Sequence, residues 1–176
     1  MSLRALALTL LALWLAGAAL SDLRSRRIAN RWLLAGTGVA LALHALALAG
    51  GARPLAGHSW PAPLSGALLG LLLMLPLYLL GAMGAADVKL MAMVGAFIGP
   101  ANVATAVLYS LLAGGLLSLS YLNAAGVLPR LLANLRTLHQ AGPPGSTPLS
   151  RSAARLPYAV AITLGSAAAL LWPLGH

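Results

Sequence analysis

Long runs of Leu, Ala, Val and Gly alternate along the chain with short stretches that carry nearly all of its charge. The hydrocarbon core of a bilayer is about 30 Å thick, so a spanning helix needs roughly 20 largely apolar residues. Six segments suit that requirement: 3–20, 32–49, 64–80, 86–99, 101–122 and 157–174. The third contains Pro76, which a membrane helix tolerates with a kink. The fourth is short and ends at Gly99-Pro100, and a helix of that length works if it begins inside the protein rather than at the lipid surface. The pattern predicts an all-α, polytopic integral membrane bundle of about six transmembrane helices. Residues 1–176 are expected to form a single membrane-embedded domain.

Composition strengthens this expectation. Hydrophobic residues make up 60% of the chain and charged residues 7%, against about 25% charged in soluble proteins. Small residues at the spacing of Gly66-xxx-Gly70 and Gly95-xxx-Gly99 suit close approach of membrane helices. The net charge of +9 comes from eleven Lys and Arg against two acids. In a soluble protein that balance would suggest nucleic acid. Here the basic residues cluster between apolar runs, so contact with anionic membrane lipids and orientation explain them, and no nucleic-acid partner is expected.

Segment by segment, the loop at 21–31 holds Arg24, Arg26, Arg27 and Arg31, and the loop at 123–156 holds Arg130, Arg136, Arg151 and Arg155. Lys89 adds one more, while the other side has only Arg4 and Arg53. The positive-inside rule then places 21–31, 81–89 and 123–156 in the cytoplasm and both termini outside. Residues 1–20 also suit a secretory signal peptide, but cleavage there would carry the Arg24–Arg31 cluster across the membrane. Within the long loop, Leu128, Leu131, Leu132, Leu135 and Leu138 share a helical face suited to the membrane interface. Gly142-Pro143-Pro144-Gly145 and Pro148 then break regular structure.

Candidate chemistry is narrow. The absence of Cys excludes a thiol nucleophile and Cys-ligated zinc, and the four His show no metal-ligand spacing; no cofactor or metal is expected. The only acids are Asp22 and Asp87. A charge at the centre of a membrane helix costs about 2.5–3.5 kcal/mol on insertion scales, so retained acids are functional candidates. Two crossings separate them, which returns both to one membrane face. Two neighbouring carboxylates cannot easily both ionise; one takes a proton from water while the other, protonated, polarises a carbonyl. The plainer alternative is that each Asp caps a helix or pairs with a nearby Arg.

The residues around both acids resemble a known family. Met83-Gly84-Ala85-Ala86-Asp87-Val88-Lys89-Leu90 is similar to the Gly-x-Gly-Asp motif of the type IV prepilin peptidases, membrane aspartic proteases of the bacterial inner membrane. The likeness runs on through Gly95 to Gly99. Upstream, Ser21-Asp22-Leu23-Arg24-Ser25-Arg26-Arg27-Ile28-Ala29-Asn30 resembles the family's first aspartate segment, an Asp followed by a basic stretch and Ile-Pro-Asn. Arg155-Leu156-Pro157-Tyr158-Ala159-Val160-Ala161-Ile162 is similar to its motif before the last helix. Ala86 and Ala159 stand where the family commonly has Gly, and Ala29 where it has Pro.

The resemblance implies Asp22 and Asp87 as catalytic residues, at a site facing the cytoplasm. Gly84, Lys89, Asn30 and Tyr158 are possible supporting residues, although snorkelling explains Lys89 and interfacial anchoring explains Asn30 and Tyr158. Without the paired Cys of larger members, which also methylate the new pilin N-terminus, the chain looks like the compact class serving tight-adherence pili. The implied partners are a prepilin substrate with a short basic N-terminal leader and the pilus assembly machinery. Two other functions fit the same residues: a small transporter binding a proton or cation at the acids, and a non-catalytic assembly scaffold.

Overall fold

The computed structural model describes residues 2–124 and 158–173, and every described element is an α-helix. The interfacial stretch from Leu128 to Leu138 and the Pro-Gly segment after it lie outside the described residues. Helix α1 covers Leu3–Ser25, α2 Asn30–Ala49, α3 Ala62–Leu79, α4 Ala85–Ala124 and α5 Tyr158–Leu171. Four of them, α1 to α4, are long and apolar enough to cross a membrane. The protein is an all-helical integral membrane protein.

All six segments expected from the sequence are helical, and two of them lie within α4. Gly99, at φ 76 and ψ 174, breaks its backbone in front of Pro100. A Cβ placed on Gly70 of α3 would lie 2.8 Å from the Met91 carbonyl oxygen and 3.0 Å from Val103 Cγ2. Twelve residues of straight helix would hold those two groups about 18 Å apart along the axis. They face one glycine instead, so the chain doubles back at Gly99 and α4 is a pair of antiparallel legs, 85–98 and 100–124. Residue 99 needs glycine twice over. Its positive φ is costly for an L side chain, and any Cβ there would collide with the carbonyl of Ala56.

The first leg of α4 is the centre of the bundle. Leu90, Met91, Met93, Val94 and Ile98 are completely buried, with Ala96 and Phe97 nearly so. A helix apolar on every side belongs inside. At about 21 Å long it cannot span the hydrocarbon unaided, and enclosure by other helices removes that need. Gly66 of α3 lies against Gly95, and the Gly66 position also abuts Gly99. The two glycine motifs noted in the sequence therefore face one another, backbone on backbone. Large leucines point outward instead: Leu34, Leu64, Leu80, Leu116 and Leu171 are all more than half exposed. Glycines where helix backbones meet and leucines toward the outside suit a lipid solvent.

Helix ends explain the turns. Ser2 caps α1 by accepting the Ala5 N–H at 3.2 Å. Gly81, at φ 72, closes α3: its N–H donates to the Tyr78 carbonyl and that of Ala82 to the Leu77 carbonyl. Between α1 and α2, Trp14 and Trp32 exchange indole bonds, each N–H donating to the other's carbonyl at 2.9 and 3.3 Å. Their rings lie 5.1 Å apart. Gly17 is the residue beneath Trp32, where a Cβ would meet the ring at 2.8 Å.

Candidate active site

Asp22 belongs to a helix, whereas the charge pattern had put it in a loop at 21–31. Helix α1 continues to Ser25, and Arg26 closes it in the left-handed conformation (φ 51) with its N–H donating to the Asp22 carbonyl. Arg24 in the last turn complements the negative end of the helix dipole. The Ser21 hydroxyl donates to the Arg27 carbonyl at 2.7 Å and draws the chain back toward α2, while the Ser25 hydroxyl is shared between the Ser21 carbonyl at 2.8 Å and that of Arg27 at 3.2 Å. This extension gives the carboxylate a fixed position. Asp22 is buried, 9% exposed, and its Oδ2 accepts the N–H of Ala159 at 3.2 Å. That N–H is one of the unpaired donors in the first turn of α5.

Asp87 is held by its own helix. Its Oδ2 accepts the Gly84 N–H at 3.1 Å, and its N–H donates to the Gly84 carbonyl at 3.1 Å. This is the returning half of a capping box, formed by the third residue of the helix on the residue that caps it. The side chain is half-buried. Asp22 and Asp87 are close enough for their charges to interact: burial first, and then the Asp22 charge, push the Asp87 carboxyl up to about 6, against the opposing Gly84 N–H. Each carboxylate therefore spends Oδ2 on one backbone N–H, and neither Oδ1 has a hydrogen bond among the described residues. Capping is thus real for both acids, and among the described residues it leaves one oxygen of each available.

The other expected residues divide. Gly84 supplies the donor to Asp87. Lys89 is exposed, and its Nζ donates to Asn30 Oδ1 at 3.1 Å. The bond joins α4 to the first residue of α2, where sequence reasoning had favoured snorkelling to headgroups. Tyr158 lies within the field of Asp87. Its ring rests on Gly114, and its hydroxyl donates to the Ser110 carbonyl at 3.4 Å rather than to a carboxylate. Ala159 is the participant the sequence did not reveal, because it acts through its main chain. An apolar hollow of about 390 Å³ opens between the end of α1 and the start of α5, lined by Leu23, Leu117, Tyr121, Tyr158 and Val160; neither acid lines it. No three His or acidic side chains converge among the described residues, so none is assigned to a metal.

With two acids at one end of a helical membrane bundle, comparison with known families becomes specific. The family model of the type IV leader peptidases matches residues 9–119, more than half of the chain. The chain belongs to that family of prepilin peptidases. The matched range contains Asp22, Asn30, Gly84, Asp87 and Lys89, and Tyr158 falls beyond it. No curated protein and no solved structure matches the chain significantly.

Proposed function

We propose that this peptidase is an aspartic endopeptidase in which Asp22 and Asp87 share one proton and activate water. The observation that carries the proposal is the pairing itself: two carboxylates close enough for their charges to interact, each aimed by one backbone N–H and each with an oxygen that is unbonded among the described residues. Like charges this close favour a state with one proton between them. The ionised acid takes a proton from water as it attacks the scissile carbonyl. The protonated acid donates to the carbonyl oxygen, and the proton taken from water then passes to the leaving amine. No covalent intermediate is required.

The substrate under this proposal is a prepilin of the tight-adherence type, cut after its short basic leader at the cytoplasmic face of the inner membrane. The positive-inside count supports that orientation. The hollow lined by Leu23 and Tyr158 suits the apolar helix that follows a leader, since its lining is apolar. A transporter would hold its acids near the bilayer midplane. Here they sit at the last turn of one helix and the first turn of another.

Co-expression with a candidate prepilin tests the proposal. Leader removal, followed by gel mobility and by sequencing the new N-terminus, is expected to stop with Asp22→Asn and with Asp87→Asn while both proteins remain in the membrane. Normal processing by either variant would refute the dyad.

A further inference from the structure

A second polar cluster sits at the other end of the bundle, about 27 Å from Asp22 along α1, and the proposed reaction makes no use of it. A cleft there is lined by Leu3 and Arg4 of α1, His44 of α2, Arg53 of the following loop, and Ala96 and Phe97 of α4. The whole cleft, with its opening, measures about 330 Å³, and its inner part holds little more than one water-sized group. Arg4 and Arg53 are exposed, whereas His44 is buried, 6% exposed.

The imidazole is half satisfied. Its Nε2 lies 3.0 Å from the Ser59 carbonyl oxygen. A carbonyl only accepts, so Nε2 carries a hydrogen, and in that tautomer Nδ1 is an acceptor. Nδ1 is buried and has no hydrogen-bond partner among the described residues. A buried acceptor left bare is costly, so the site calls for a small donor. The two guanidinium groups at the same cleft call for an anion and repel a metal ion or an amine.

We propose that this cleft binds the headgroup of an anionic phospholipid bearing a free hydroxyl. The phosphate sits at the mouth between Arg4 and Arg53. The hydroxyl enters the inner space and, once the side chains that close over His44 Nδ1 give way, donates to it. This site is separate from the arginine-rich turn at 24–31 and does not depend on the peptidase mechanism.

The test is native mass spectrometry of the full chain in detergent, titrated separately with three dioleoyl lipids. Phosphatidylglycerol has the charge and the hydroxyl, phosphatidylmethanol the charge alone, and phosphatidylcholine neither. The adduct of interest is the one lost in the Arg4→Gln/Arg53→Gln double variant, since lipid held at 24–31 survives that change. Phosphatidylglycerol is expected to outbind phosphatidylmethanol at this site by about fivefold, the effect of one added hydrogen bond. His44→Phe should erase that preference and keep the charge dependence. Should His44→Phe fail to fold, the comparison of the two anionic lipids on the unsubstituted chain still decides the point. Equal retention of all three lipids would overturn the proposal and leave only water at Nδ1. Equal retention of the two anionic lipids would overturn the role of His44. Displacement of the adduct by millimolar glycerol 3-phosphate would overturn the lipid assignment in favour of a soluble phosphate ester.

Discussion

Asp22 and Asp87 lie at the same end of the bundle, but different parts of the fold hold them. Asp87 is fixed locally, by the N–H of a residue three positions earlier. Its orientation follows as soon as the first turn of α4 forms. Asp22 is fixed by Ala159, 137 positions away, and keeps its orientation only when α1 and α5 are docked. Asp22 is buried and Asp87 half exposed. A pair built this way is complete only in the assembled bundle, with one acid ready early and the other installed by the last helix. That order suits the proposed dyad, because a partly assembled protein would lack half of it.

The two acids should be equal in chemistry and unequal in structure. For chemistry, a dyad functions as a unit. Asp22→Asn and Asp87→Asn should each lower the rate of leader removal by about a thousandfold or more, and the double variant should be no slower than either. A multiplicative loss in reconstituted vesicles would break the equivalence. For structure, alanine separates them. Asp22→Ala strands the buried Ala159 N–H and should destabilise the protein by about 1–3 kcal/mol. Asp87→Ala removes one end-cap near solvent and should cost about 1 kcal/mol. Thermal melts in one detergent measure the difference, and a larger loss at Asp87 would reverse the contrast.

Smaller effects sharpen the picture further. The Lys89–Asn30 bond links the Asp87 helix to the turn that follows Asp22. Lys89→Gln should reduce processing by a few-fold, of the order of one charge-assisted hydrogen bond weakened at the surface. A single-turnover assay would show whether the loss falls on the chemical step. Tyr158→Phe should change the rate least, within about twofold, because its hydroxyl is engaged by Ser110 in a long bond. A large loss with Tyr158→Phe would place that hydroxyl on the substrate and require a different site.

Much of this was legible in the sequence, and the gaps have physical causes. Hydropathy located all six helical segments, since each needs an apolar surface whatever its neighbours are. Topology alone put Asp22 and Asp87 at one end. The extension of α1 through Asp22 was hidden because Arg24, Arg26 and Arg27 look like a loop, although a helix end in the headgroup layer accommodates such residues well. The Ala159 donor was invisible because a backbone N–H leaves no mark on residue type. The meeting of Gly66 with Gly95 was half visible: the motifs could be seen but not their pairing, which depends on the reversal at Gly99. His44 gave no signal, since its place depends on Ser59 reaching back over α2.

The central claim is that the two carboxylates are oriented by caps and consumed in chemistry, and asparagine separates these roles. Asn at position 22 keeps an oxygen that can accept the Ala159 N–H and deletes the ionisable group. The decisive measurement is therefore leader removal by purified, reconstituted Asp22→Asn protein whose melting temperature matches that of the unsubstituted chain. The expected result is an intact fold with no mature pilin formed. Mature pilin at the unsubstituted rate would show that Asp22 is only a cap, and would contradict the account.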